Sequence, residues 1–184
     1  KIDIVYPPGL VKGESIIFKV LEKDYLLTHP YERFEAVIDL LNEAANDPDV
    51  ISIKQTLYRV GNDSAIIRAL AQASENGKDV TVLVELKARF DEQSNLNYAT
   101  ALEESGCHVI YGKDNLKVHA KSILITRKNK RSVDYICHLG TGNYNESTAK
   151  LYTDVGLLTS DRIIAEDLIN FYNDLAGSER EEYQ

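Results

Sequence analysis

Between residues 50 and 111, runs rich in apolar and β-branched residues alternate with helical stretches, and a glycine follows each helix. Extended patterns at 50–58, 80–86 and 107–111 are separated by helical patterns at 64–76 and 92–105. Asn76-Gly77-Lys78 and Ser105-Gly106 supply the exits, because glycine readily takes the left-handed conformation that ends a helix. Strands joined through a helix-length crossover run parallel, so this segment requires a parallel sheet with helices packed on it. The fold class is α/β. Beyond Tyr111 the pattern changes to strands at 119–126, 133–139 and 152–158, then a helix at 161–175. The link from Tyr111 to His119 is shorter than the dozen or so residues a parallel crossover needs. The strand from 119 is therefore expected to run antiparallel, making the sheet mixed.

Upstream, Pro7, Pro8, Gly9 and Gly13 mark residues 1–13 as a lead-in segment. A helix is expected over 14–23. Thr28-His29-Pro30 reads as the start of another, with proline in its first turn. That helix should run to Ala45, with Phe34, Val37, Ile38 and Leu41 on one face, until Asn46-Asp47-Pro48 ends it. One domain is expected over 14–176, with 177–184 as a charged, frayed tail.

A length of 184 residues suits a single domain with a sizeable core. The chain contains no methionine and begins at Lys1, so it reads as a piece of a longer polypeptide. No run reaches transmembrane length and no signal-peptide pattern opens the chain. Cys107 and Cys137 have no metal or redox spacing; as buried thiols they suit a reducing cytoplasm, and zinc is not expected. The net charge of −8 argues against a general nucleic-acid binder. Yet from Lys113 to Arg131 seven basic residues face one acidic residue, Asp114.

That basic stretch contains Lys117-Val-His119-Ala-Lys121. In extended chain the side-chain period is two, so His119 and Lys121 share a face. A histidine can attack phosphorus while a lysine neutralises the non-bridging oxygens. Taken alone, such a pair is more often a strand-end histidine beside a solvated lysine. Topology supplies its neighbours. In open α/β sheets the ligand site lies beyond the carboxyl ends of the parallel strands. Arg59 follows the first of these strands and Arg89 the second. An antiparallel strand starting at His119 begins at the same edge. A hairpin through 128–132 returns the turn Gly140-Thr-Gly-Asn143 there, and Tyr152 and Asp154 start the following strand from it.

Two arginine forks can grip a triphosphate or a chain of phosphates, although each singly is more often a surface ion pair. The glycine turn can direct N–H groups at an anion. A histidine with an ordinary pKa of roughly 6.5 is mostly neutral, hence nucleophilic, at cytoplasmic pH. Tyr152 can stack on a base or simply pack; Asp154 can approach a metal or orient Lys121. His108 and His138 suit core or supporting roles, and His29 helix entry.

The motifs Thr28-His-Pro-Tyr31, Lys54-Gln-Thr-Leu-Tyr-Arg59-Val, Val84-Glu-Leu-Lys-Ala-Arg89-Phe-Asp-Glu92, Lys117-Val-His119-Ala-Lys121, Gly140-Thr-Gly-Asn-Tyr-Asn145 and Leu151-Tyr-Thr-Asp-Val-Gly-Leu157 run in order along nearly the whole chain. Together they resemble the bacterial class 1 polyphosphate kinases, specifically the first C-terminal, phospholipase D-like domain. The resemblance implies reversible transfer of the terminal phosphoryl group of ATP to inorganic polyphosphate. It implies that His119 is the phosphohistidine nucleophile, with Lys121 beside it. Arg59 and Arg89 would form the magnesium–phosphate site and Tyr152 would contact the nucleotide base; beside these, Asn143 of the glycine turn is a phosphate or ATP candidate and Asp154 a weaker metal candidate. Guanidinium has no lone pair for a metal, so the arginines would hold phosphate oxygens that carry Mg²⁺.

The resemblance also implies partner domains elsewhere in the parent polypeptide, a homo-oligomeric full-length enzyme, and a cytoplasmic location with membrane association left open. The phospholipase D pattern follows the lysine of its His-x-Lys with four intervening residues and then an aspartate; this chain has Thr126 there. That departure disfavours a phosphodiesterase, one of two competing readings. The other is a non-catalytic module for polyphosphate binding or oligomerisation. The expectation is a domain that folds but has little kinase activity by itself.

Overall fold

The computed structural model describes residues 5–29, 34–57, 64–84, 92–112, 121–142, 144 and 154–181. In chain order the elements are α1 (Ile16–Glu22), β1 (Tyr25–His29), α2 (Glu35–Asn46), β2 (Val50–Leu57), α3 (Ala65–Glu75), β3 (Asp79–Val84), α4 (Glu92–Glu104), β4 (His108–Tyr111), β5 (Lys121–Asn129), β6 (Ser132–Gly140), β7 (Asp154–Thr159) and α5 (Arg162–Glu181).

The strands form one mixed seven-stranded sheet in the order β1-β7-β6-β5-β2-β3-β4. β2, β3 and β4 are parallel, joined by α3 and α4 as their crossovers. β5 runs antiparallel, as the short link predicts, but it lies against β2 rather than β4. β6 and β7 follow by antiparallel pairing, and β1 closes the far edge against β7.

Local chemistry explains the boundaries. Ser15 Oγ accepts from Phe18 N at 3.1 Å, and the Glu43 carboxylate takes Ile16 N and Ile17 N at 2.9 and 3.2 Å, satisfying the opening donors of α1. Ser64 and Asp161 cap α3 and α5 in the same way. Gly77 and Gly106 have φ of 87° and 93°, the left-handed exits expected from the sequence. Gly77 N returns to Ser74 O at 3.0 Å, and Gly106 N to Glu103 O at 2.9 Å.

The pleat sorts the two faces. Ile53, Leu57, Val82, Ile123, Ile125, Ile136 and Leu158 enter the large core shared with α1, α2, α3 and α4. Leu124 and Cys137 face the other way, onto Ala165, Leu168 and Tyr172 of α5. Among the described residues no helix is long and apolar enough to cross a membrane. Both cysteines are free and buried.

Two expectations fail. Thr28 and His29 end a strand, not the cap of a helix: β1 pairs His29 with Asp154 and Thr28 with Val155, and α2 begins only at Glu35. The partner that makes β1 a strand lies over a hundred residues away, beyond the reach of a local cap signal. At the other end α5 continues to Glu181, past the frayed tail expected from 177. A Cβ at Gly177 would meet nothing within 4 Å, so the glycine interrupts no packing there.

Candidate active site

Seven strands bring one set of ends together. β2, β3 and β4 finish at Leu57, Val84 and Tyr111. β5 is antiparallel to β2, so it begins at the same edge with Lys121. β6 ends there at Gly140 opposite Lys121, and Gly140 in turn faces Gly156. Asp154 starts β7 at this edge, and His29 ends β1 beside it.

Of the residues singled out from sequence, Lys121 and Asp154 fall among those described. Arg59, Arg89, His119, Asn143 and Tyr152 lie outside the described residues. The strand ends from which these five lead on or lead in are nonetheless the ones just named.

Lys121 is half-buried and shares a face with Ile123, hence with the α1–α4 core. Across from it Gly140 and Gly156 leave a floor without side chains. The reason lies one row deeper, at His138, which is only 4% exposed. A Cβ on Gly140 would lie 3.2 Å from His138 Cε1, and one on Gly156 2.7 Å from Nε2. The two glycines thus make room for the imidazole. Its Nδ1 lies 2.7 Å from the hydroxyl of Tyr144, a fully buried residue whose phenol is pushed well above its ordinary range by burial.

The glycine turn is tied to β7. Thr141 N donates to Val155 O at 3.0 Å, and Val155 N donates to Thr141 Oγ1 at 3.0 Å. Gly142 sits against Asp154 so closely that any Cβ would fall on its carboxylate. Asp154 therefore packs on the turn, with Thr141 Oγ1 donating to its Oδ1 at 3.5 Å. Among the described residues no three His, Cys, Asp or Glu side chains gather as metal ligands. These residues do not fit a metal cage held by protein alone.

On the opposite face, sequence reasoning missed a buried polar cluster. Ser122, next to Lys121 and fully buried, has its Oγ 2.9 Å from the hydroxyl of Tyr172. The Tyr172 hydroxyl also lies within 3.3 Å of the Ser122 carbonyl. Ser122 N donates to Thr56 Oγ1 at 3.0 Å. A signal existed: Ala165, Leu168 and Tyr172 fall at helical spacing on one stripe, which puts a tyrosine where the pattern asks for a buried residue.

Comparison with known proteins fits this architecture. Residues 15–181 match the family model described as polyphosphate kinase C-terminal domain 1. The chain is 57% identical over 173 residues to a polyphosphate kinase of Exiguobacterium sibiricum, covering 94% of this chain and 24% of that one. It is 53% identical over 178 residues to the polyphosphate kinase of Staphylococcus epidermidis, covering 96% and 24%. The chain thus spans about a quarter of the length of these curated relatives. Among solved structures, a polyphosphate kinase from Porphyromonas gingivalis superposes with a TM-score of 0.80 at 40% identity, over 93% of this chain and 29% of that one. Nuc, a phospholipase D family member from Salmonella typhimurium, superposes at 0.62 with 15% identity, over 84% of this chain and 95% of that one, a likeness of fold alone.

Proposed function

The chain belongs to the polyphosphate kinase family, as its C-terminal domain 1, and from that membership we propose that it carries the phosphoryl-transfer centre of such a kinase. ATP is the donor and inorganic polyphosphate the acceptor, in a reversible reaction. A neutral nitrogen of His119 attacks the γ-phosphorus in line; the N–P bond forms as the bond to the ADP oxygen breaks. A terminal oxygen of polyphosphate then attacks the phosphohistidine, the N–P bond breaks, and the histidine is restored.

In this reading Lys121 offsets charge on the transferring group, and Arg59 and Arg89 hold the phosphates by bidentate contacts. Asn143 and the glycine turn offer N–H donors, and Tyr152 meets the base. Magnesium enters as part of the nucleotide substrate, carried on phosphate oxygens, because arginine offers it no lone pair. A cytoplasmic setting follows from ATP as donor. The remaining domains of the full-length polypeptide would complete the cleft.

The observation that supports this reading most is the shared sheet edge, where the strands adjoining every one of these residues begin or end. The test substitutes Arg59→Ala and Arg89→Ala in a full-length kinase carrying this chain. Both should raise KM for ATP and for polyphosphate together; unchanged kinetics would reduce the arginines to surface ion pairs.

A further inference from the structure

The ladder between β2 and β5 pairs Gln55 with Ile123 and goes no further. One residue nearer the edge, Ser122 N finds a side-chain acceptor, Thr56 Oγ1, in place of a main-chain carbonyl. The hydroxyl of Ser122 and its carbonyl both engage Tyr172 of α5. With Ser122 Oγ–H donating to the phenol oxygen, the phenol hydrogen is left for the carbonyl. All three polar groups of one residue are therefore held by side chains of two other elements. Ser122 is 0%, Tyr172 1% and Thr56 6% exposed, so no water competes.

The position of this cluster matters more than its stability. Replacing a buried hydrogen-bonded pair by apolar groups of the same shape is often nearly neutral, so hydroxyls are not needed merely to fill the space. Here they link the mouth of β2, which leads to Arg59, with the mouth of β5, which carries Lys121 and follows His119. β6 holds the other side of β5 through Lys121 opposite Gly140. The hydroxyl chain supplies the remaining constraint.

We propose that the Thr56–Ser122–Tyr172 hydrogen-bond chain positions the mouth of β5, and with it Lys121, against β2, the strand that leads to Arg59 in the sequence. The inference rests on the phosphoryl-transfer reading given above. Tyr172 and Thr56 touch no substrate; they act through Ser122. Displacing a reacting group by about 1 Å costs on the order of 100-fold in rate. Loosening one anchor should therefore lower kcat by about 10-fold or more, with KM for ATP within about twofold.

The experiment uses a full-length kinase carrying this chain, with Thr56→Val, Thr56→Ser and Tyr172→Phe. Valine matches threonine in shape but cannot accept from Ser122 N, whereas serine can. The expected result is a fall in kcat for Thr56→Val and Tyr172→Phe at unchanged KM, with Thr56→Ser close to wild type. Wild-type kcat in both variants, accompanied only by a lower unfolding midpoint, overturns the inference. So does a Thr56→Ser enzyme as slow as Thr56→Val. Mapping the label from γ-labelled ATP on the wild-type protein separates the two claims. A label on His119 with an unaffected Tyr172→Phe enzyme rejects the positioning device alone; a label elsewhere rejects the site reading and the device with it.

Discussion

Gly156→Ala offers a sharp test of how the floor of the cleft is built. The added methyl would lie 2.7 Å from His138 Nε2, with Cε1 and Cδ2 at 3.5 and 3.7 Å. Ordinary van der Waals contact needs roughly 0.7–1 Å more than the shortest of these. The imidazole is buried at 4% exposure and tethered, with Nδ1 2.7 Å from the Tyr144 hydroxyl, so moving away stretches that contact. Overpacking of this kind costs about 1–3 kcal/mol, and stretching a buried hydrogen bond moves the value to the upper half of that range. Denaturant unfolding of the 184-residue chain should show a loss of about 2–3 kcal/mol, or roughly 5–10 °C in midpoint. A second arm isolates the cause. In a His138→Ala background the same glycine substitution should cost under about 0.5 kcal/mol, since the clash partner is gone. An equal cost in both backgrounds, or a wild-type midpoint for Gly156→Ala alone, would refute the reasoning.

Gly177→Ala provides the contrast: the site is open and helical, so stability should rise by about 0.5–1 kcal/mol in the same unfolding assay. Arg127 links the far end of the hairpin to the α2–β2 turn, its Nε donating to Asp47 at 2.7 Å and its Nη2 to Asp49 at 3.1 Å, over the Phe18 ring. Arg127→Ala should cost about 2 kcal/mol, and Arg127→Lys should recover less than half of it, because lysine cannot fork between two carboxylates. Burial, then the Asp161 carboxylate, pushes the Cys137 thiol up to about 12 from 9.0. Its folded value lies above its unfolded one, so the associated stability is fully present below pH 9 and is lost as pH rises toward 12. Iodoacetamide at pH 9 should therefore leave Cys137 unmodified in the folded chain and alkylate it in denaturant. Finally, the isolated chain should retain its fold, by circular dichroism, with little or no ATP-to-polyphosphate transfer.

The alternation between Val50 and Tyr111 was readable because each helix carried its own stop signal and each strand its own apolar run. Loop length alone foretold that β5 reverses direction. It could not foretell that β5 lies beside β2, since two strands intervene in the chain and nothing local names a partner. β1 was misread for a similar reason: Thr28-His29-Pro30 has the chemistry of a helix start, but pairing with β7 outweighs it. At the site, Lys121 and the shared edge followed from pleat and topology. His138 was expected in a core or supporting role, and its burial against Tyr144 agrees. The pairing of Ser122 with Tyr172 spans 50 residues and two secondary-structure types, so no periodicity within either segment expresses it. Asp154 had a choice of roles in the sequence; its place against Gly142 ties it to the glycine turn.

The central claim is that His119 receives the phosphoryl group, and covalent labelling tests it most directly. A full-length kinase carrying this chain is incubated with γ-labelled ATP, quenched, and assayed for label that survives base and is lost in acid. The account predicts such label in the wild-type protein and none in His119→Ala, with the fold unchanged. Wild-type levels of acid-labile label in His119→Ala would contradict it.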